Sequence, residues 1–299
     1  TVYDYPHIGN YRSYIFADIL KRVLLMNDYK VKHVMNITDV DDKTIKRSQT
    51  DHKSLKDLTE FYTAEFQRDR ETLNILPADI YPKASDYIDE MVKLIETLIL
   101  KDYAYKSEDG SVYFSIKKDD DYGKLAHLNL ASLHDNASGR QKVDEYDKDS
   151  AQDFALWKAW HEDDGAVYWE TALGKGRPGW HIECSAMSMK NLGESFDLHT
   201  GGVDNLFPHH ENEIAQSEAA NGKQFARYWM HNAFLNIDNR KMSKSLGNFF
   251  TVRDISAEYD LQVLRFFMLS AHYRSPLNFS QDLMEAAKSG LERILTCVD

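Results

Sequence analysis

The sequence predicts an α/β protein, a parallel sheet divided by an insertion and followed by a helical segment. Three observations predict it. First, "YRSYIFADILKRVLLM", residues 11–26, spaces Tyr11, Ile15, Ile19, Val23 and Met26 at a helical period, and the short β-branched stretch "YKVKHVMNITDV" that follows reads as a buried strand. Second, "ESFDLHTGGVDN" repeats the theme as strand and glycine turn, with a helix expected to begin near Pro208, since proline suits a first helical turn. Third, "DYAYKSEDGSVYFSI" alternates aromatics around Asp109-Gly110, a hairpin signal foreign to a simple doubly wound sheet and therefore an insertion.

The remaining elements follow in order. Asn10 is the expected N-cap of the first helix. Residues 84–101 read as a helix, and residues 117–150, charged and without periodicity, as surface loops of the insertion. From Asp254 onward, "LQVLRFFMLSA" and "DLMEAAKSGLERILTCV" read as helices. The expected divisions are residues 1–97 and 177–250 as two halves of one α/β domain, 98–176 as the insertion, and 251–299 as a helical segment leading to a further C-terminal domain. The chain opens at Thr1 without an initiator methionine, so residues upstream are expected, and the last helix stops abruptly at Asp299.

Composition narrows the function classes. With 299 residues, 42% hydrophobic and 28% charged, the chain is long enough for a large buried core. It has no apolar run near the roughly 20 residues that cross a bilayer, so a soluble protein is expected. Lys plus Arg number 36 against 48 Asp plus Glu, a net charge of -12, which argues against a protein coated in nucleic acid but leaves room for a local basic groove. Cys184 and Cys297 are too few and too far apart for a disulfide scaffold, and a reduced, cytoplasmic setting is expected.

Three short motifs carry chemistry. In "FPHHENEIAQSE", residues 207–218, a helix from Pro208 would set His209 and Glu213 four apart on one face, within reach of a common ion, with His210 and Glu211 pointing elsewhere. In "HIGN", residues 7–10, Gly9 lets a ligand approach the backbone, the helix N-terminus attracts phosphate, and His7 can hydrogen-bond developing charge. In "KMSKS", residues 241–245, Lys241 and Lys244 on a mobile loop can close over a triphosphate and neutralise departing pyrophosphate.

Together, "TVYDYPHIGN", "NITDVDDK", "GKGRPGWHIECSAM", "GGVDNLFPHHENEIAQSEAANG" and "RKMSKSLGN" resemble the cysteine-specific family of class I aminoacyl-tRNA synthetases. The resemblance implies a Rossmann-type catalytic sheet split by a connective insertion. It implies ATP-dependent activation of L-cysteine to an adenylate, with magnesium on the phosphates, and transfer to cysteine tRNA by a cytoplasmic enzyme, expected to act as a monomer. His7 and Asn10 are assigned to the phosphates, although synthetases at large often carry a second histidine at the Asn10 position. Lys241 and Lys244 are assigned to the leaving pyrophosphate, and the Gly201, Gly202 and Asp204 turn to adenosine, whose ribose hydroxyls Asp204 can accept from. By the same analogy Thr38, Trp180 and His199 line the cysteine pocket. The family's single zinc implies Cys184, His209 and Glu213 as ligands, with a fourth upstream of Thr1.

Zinc suits the substrate problem. Cysteine and serine are near-isosteres that shape separates by only about 1–3 kcal/mol. A metal that prefers sulfur to a hydroxyl is expected to supply the rest, and no editing domain is then needed. A cysteine ligase of thiol-cofactor biosynthesis with an amino-sugar acceptor is the alternative reading, and a non-enzymatic paralogue is a further one. An intact "KMSKS" argues against the paralogue, because a binder has no leaving group to neutralise.

Overall fold

The structure is a computed structural model. It describes residues 1–128, 153–237, 240–241 (backbone only) and 249–298.

Helix α1, Ile8–Met26, starts three residues earlier than expected. His7, not Asn10, is its N-cap: His7 Nδ1 accepts from Asn10 N at 3.2 Å and Asn10 Oδ1 accepts from His7 N at 3.1 Å. Such a reciprocal box satisfies two donors that a helix start leaves open. The buried face also differs. It comprises Ile8, Tyr11, Arg12, Ile15 and Asp18, whereas Val23 and Met26 are 49% and 83% exposed. Polar Arg12 and Asp18 are tolerated there because Arg12 donates to Phe234 O and Ser275 O and Asp18 accepts from Arg265 and Leu76 N.

The stretch expected as a strand runs through isolated parallel bridges, Val34 with Ile80 and Ile37 with Lys83, rather than a full ladder. Its "DVDD" end is divided among three tasks. Asp39 accepts from Ser85, Asp41 caps α2, Asp42–Thr50, and Asp42 pairs with Lys158 and Arg177. Helices α3, Leu55–Thr72, and α4, Ile88–Leu100, follow, the latter entered through a tight turn at Ala84–Tyr87.

A five-stranded antiparallel sheet comes next: β1 Ala104–Lys106, β2 Val112–Phe114, β3 Phe154–Ala159, β4 Trp169–Thr171 and β5 Gly174–Pro178, in the order β1-β2-β3-β5-β4. β1 and β2 form a hairpin whose turn holds Gly110 at φ +90°, a backbone region that favours glycine. Residues 129–152, most of the stretch expected as loops, lie outside the described residues. β5 leads directly into α5, Trp180–Leu192. The junction Gly179 cannot carry a side chain, since a Cβ there would lie 2.0 Å from Ala155 O.

β6 Phe196–Gly202, α6 Glu211–Asn221 and β7 Ala226–Asn232 form a parallel β-α-β unit in which His199 registers with Trp229 and Gly202 with Asn232. The helix expected to begin at Pro208 begins at Glu211. A wide turn, Leu206–His210, precedes it, and Phe207 within that turn is extended. A third sheet pairs β8 Leu235–Ile237 with β9 Arg240–Lys241 and, in parallel, with β10 Leu277–Phe279. Helices α7 Val252–Ser256, α8 Leu261–Met268 and α9 Gln281–Val298 close the chain.

Two apolar cores result. One joins α1 and α3 to the 249–287 region through Ile8, Tyr11, Phe66, Leu264 and Phe267, and the other packs α4, α5 and α6 on the antiparallel sheet around Phe114, Phe154 and Trp157. No described helix is long and apolar enough to cross a membrane.

Candidate active site and metal centre

A cavity of about 690 Å³ opens where the N-terminus of α1, the end of the 31–37 stretch and the carboxyl end of β6 converge. That is where open α/β sheets bind ligands, because the loops leave the strands there and helix N-termini point in. The cavity is lined by His7, Gly9 and Asn10, by Thr38, by Trp180 and Cys184, by His199, Gly201, Gly202 and Asp204, and by His209 and Glu213. These are the residues singled out in the sequence, apart from the two lysines. Lys244 lies outside the described residues, as does the side chain of Lys241, whose backbone forms part of β9.

The deepest part is a cluster on α5, β6 and α6. Cys184, His209 and Glu213 each offer one ligand atom, and these atoms lie within 4.8 Å of one another. Glu213 is fully buried. Its Oε2 is 2.8 Å from His199 Nε2, and its Oε1 is 3.0 Å from His209 Nε2 but at an angle that leaves this oxygen without a hydrogen bond. The other nitrogen of His209, Nδ1, is 2.9 Å from His181 Nδ1, and Trp180 stacks on the His209 ring with centroids 4.0 Å apart. The ring is thus fixed from two sides, with Nε2 close to Glu213.

The electrostatics favour a cation. Burial would raise the Glu213 carboxyl, but His199 and His209 beside it hold it well below the ordinary carboxylate range. Burial pushes the Cys184 thiol well up, and the neighbouring Glu213 and Glu183 push it further. A thiol and a carboxylate set side by side in a low-dielectric pocket repel when both ionise, and a divalent ion between them reverses that sign. A thiolate, an imidazole and a carboxylate are the donor types zinc takes, and an orphaned buried oxygen among them fits such an ion.

Two expectations about neighbouring residues need correction or refinement. His210 does not point away: its Nδ1 is 2.8 Å from His231 Nε2, and with His199 and Glu213 it forms a second group of ligand-type atoms. The 100° spacing of an α-helix fails here because His209 and His210 sit in the wide turn before α6. Glu211 does point elsewhere, accepting from the backbone N–H groups of Gly123, Leu125 and Ala126 in the insertion. Gly201 meets a constraint besides ligand approach, since a Cβ on it would lie 2.6 Å from His210 Cε1.

Sequence reasoning also missed His181 and His231. His181 lies inside the quoted "GWHIEC", but nothing in the spacing says that it reaches His209. Burial first, then His199, pulls the His231 imidazole down to about 4.

The α/β unit, with a ligand cavity at its strand ends and a candidate metal cluster beneath it, has the form of a nucleotide-handling catalytic domain. Residues 1–289 match the family described as "tRNA synthetases class I (C) catalytic domain". The chain belongs to that family. A cysteine-tRNA ligase of Chlamydia pneumoniae is 54% identical over 296 residues, covering 98% of this chain and 62% of that one. A cysteine-tRNA ligase of Lachnospira eligens is 55% identical over 303 residues, covering 100% and 64%. The chain therefore spans less than two thirds of these curated relatives. Among solved structures, Mycobacterium tuberculosis methionyl-tRNA synthetase in complex with methionyl-adenylate aligns with a TM-score of 0.71 at 16% identity, over 95% of this chain and 65% of that one. The last likeness supports the Rossmann-type fold alone.

Proposed function

We propose that the protein activates L-cysteine with ATP and transfers it to cysteine tRNA, as a cytoplasmic monomer. In this reading residues 1–97 and 177–250 are the halves of the catalytic domain, 98–176 the connective insertion, and 251–299 a helical segment. The observation that carries the reading is the meeting, in one cavity, of a phosphate-type helix N-terminus with a Cys184, His209 and Glu213 cluster. The family membership and the cysteine-tRNA ligase relatives support it.

In the first step a carboxylate oxygen of cysteine attacks the α-phosphorus of ATP. The bond to the bridging oxygen breaks, and pyrophosphate leaves with the electron pair and its magnesium. Little covalent work falls to the protein, so positioning and charge dominate. The N-terminus of α1 presents the positive end of its helix dipole to the phosphates, with Gly9 allowing close approach. His7 Nδ1 is held by Asn10 N, which orients the ring. Asp204 accepts from ribose hydroxyls, and Thr38 and Trp180 bound the amino acid. Lys241 and Lys244 neutralise the leaving group. In the second step a hydroxyl of the terminal tRNA adenosine attacks the acyl carbon, loses its proton, and AMP departs.

Zinc, held by Cys184, His209 and Glu213 with one further ligand, would supply a soft Lewis acid that distinguishes a thiol from a hydroxyl. His199 and His181 would act on it indirectly, by fixing Glu213 and His209.

Charging of purified cysteine tRNA by the full-length protein, with radiolabelled cysteine, tests the proposal. Esterification dependent on ATP is expected. Adenylate formation with transfer to an amino sugar, and none to tRNA, would instead establish the ligase alternative.

A further inference from the structure

The two candidate catalytic motifs, "HIGN" near the N-terminus and "RKMSKSLGN" some 230 residues later, have to be held at a fixed spacing if both act on one triphosphate. The described residues reveal part of the joint. Ile8 N donates to Phe250 O at 2.8 Å, and His7 bridges to Thr251 in antiparallel fashion. The chain leaving the second motif is therefore stitched to the backbone of the first. Thr251 then caps the short helix α7 through a reciprocal box with Asp254.

Arg253 on α7 fastens this joint to the body of the protein. Its guanidinium donates to Glu65 Oε2, stands 3.2 Å from Asp69 Oδ1, and lies over the Tyr5 ring at 4.1 Å. Glu65 and Asp69 are one turn apart on α3, and both are buried. Asp69 also accepts from Tyr11 Oη at 3.2 Å, and Tyr5 rests edge-on against Tyr62 with centroids 5.4 Å apart. His7 is thus bracketed by Tyr5 two residues before and Tyr11 four residues after. Both contact the group that Arg253 completes.

We infer that Arg253 is a positioning residue for adenylate formation, one that sets the phosphate-facing end of α1 against the chain leaving the lysine motif. The inference rests on the adenylation reading above. One nitrogen, Nη2, meets both buried carboxylates while the guanidinium carbon lies over the Tyr5 ring, and a lysine ammonium could take the ion contacts without the flat stacking on Tyr5. No role at the reacting atoms is implied.

The test is single-turnover adenylate formation by full-length protein carrying Arg253→Gln, Arg253→Lys, Lys244→Ala, and Arg253→Gln combined with Lys244→Ala. Rates are normalised to folded protein by circular dichroism and to competent sites by an active-site titration. Arg253→Gln is expected to slow the step about ten- to a hundredfold, as small misplacements do, with the cysteine KM within about twofold. Arg253→Lys should recover only part. The combined variant should lose much less than the product of the single losses, because the two residues serve one event. A purely structural role would lower Tm and the competent fraction yet leave the normalised rate unchanged, and that result, or full multiplicativity in the combined variant, overturns the inference. Should Arg253→Gln not fold, the Arg253→Lys rate decides alone. Absence of cysteine-dependent adenylate in the wild-type protein would count against the adenylation reading, which the normalised ratios do not test.

Discussion

His209 Nε2 faces Glu213 Oε1 across 3.0 Å in a pocket where Glu213 is fully buried, and Cys184 places its sulfur within 4.8 Å of both. Three side chains from two helices and the turn between β6 and α6 converge on one point. Their types differ, and a single soft divalent ion is what thiolate, imidazole and carboxylate share.

Metal content should follow this geometry. Zinc near one per chain is expected in the full-length protein. His209→Ala should lower it by tenfold or more in affinity, on the order of effects at metal sites, while His210→Ala should leave it bound. His210 does approach Glu213, but the group it forms with His199 offers no thiol, and its Nδ1 is engaged by His231 at 2.8 Å. Atomic absorption on both variants checks this, and equal loss from both would assign the metal to the wrong histidine.

Lys244→Ala is expected to slow adenylate formation by orders of magnitude with Tm nearly unchanged, since a lysine that meets only the leaving group contributes to the transition state and not to the folded state. Cysteine-dependent pyrophosphate exchange and a melting curve on the same preparation make the comparison. Normal exchange would remove this lysine from the mechanism.

Gly179→Ala should destabilise the junction between β5 and α5. An added Cβ would meet Ala155 O at 2.0 Å and Ala155 C at 2.8 Å, both backbone atoms that move only with β3. A cost at or above the upper end of roughly 1–3 kcal/mol is expected. Because Trp180 and Cys184 begin the helix that would shift, zinc affinity should fall with stability. An unchanged Tm would mean that the junction relaxes freely.

Acid stability should depend on Asp42. Burial would raise its carboxyl, but Lys158 and Arg177 outweigh that and hold it below the ordinary value of 3.8. A depressed carboxyl contributes stability above its unfolded pKa, and loses it as pH falls through the lower folded value. The loss from this group therefore falls below pH 3.8. Asp42→Asn should flatten that part of the Tm profile and also loosen the insertion, since Arg177 joins Asp42 to Asp164. An identical acid limb in wild type and variant would exclude the link.

Much of this was legible in the sequence because period and punctuation carry it. The hairpin at Asp109-Gly110, the helix after residue 84 and the two C-terminal helices follow from local pattern, and the structure has each of them. The site residues in the cavity were readable from motif resemblance more than from physics. Local pattern failed where tertiary contacts decide. Asn10 was the expected cap because it is the stronger capping type, yet the structure begins α1 earlier, where His7 and Asn10 satisfy each other. Helical spacing put His210 on the wrong side because the wide turn at Leu206–His210 departs from it. β10, which pairs with β8 from forty residues away, left no signal in a three-residue stretch. Arg12 and Asp18 would be exposed on any amphipathic reading, and only their distant partners explain their burial.

The most direct test of the account is ATP-pyrophosphate exchange by zinc-replete, full-length protein with cysteine and with serine as the competing substrates. One-atom shape differences separate such substrates by only about 10- to 200-fold. If the Cys184, His209 and Glu213 centre selects by sulfur, exchange with cysteine should exceed exchange with serine by at least about a thousandfold, and the margin should shrink as zinc is lost in His209→Ala. Comparable rates with the two amino acids, or no exchange with cysteine, would contradict it.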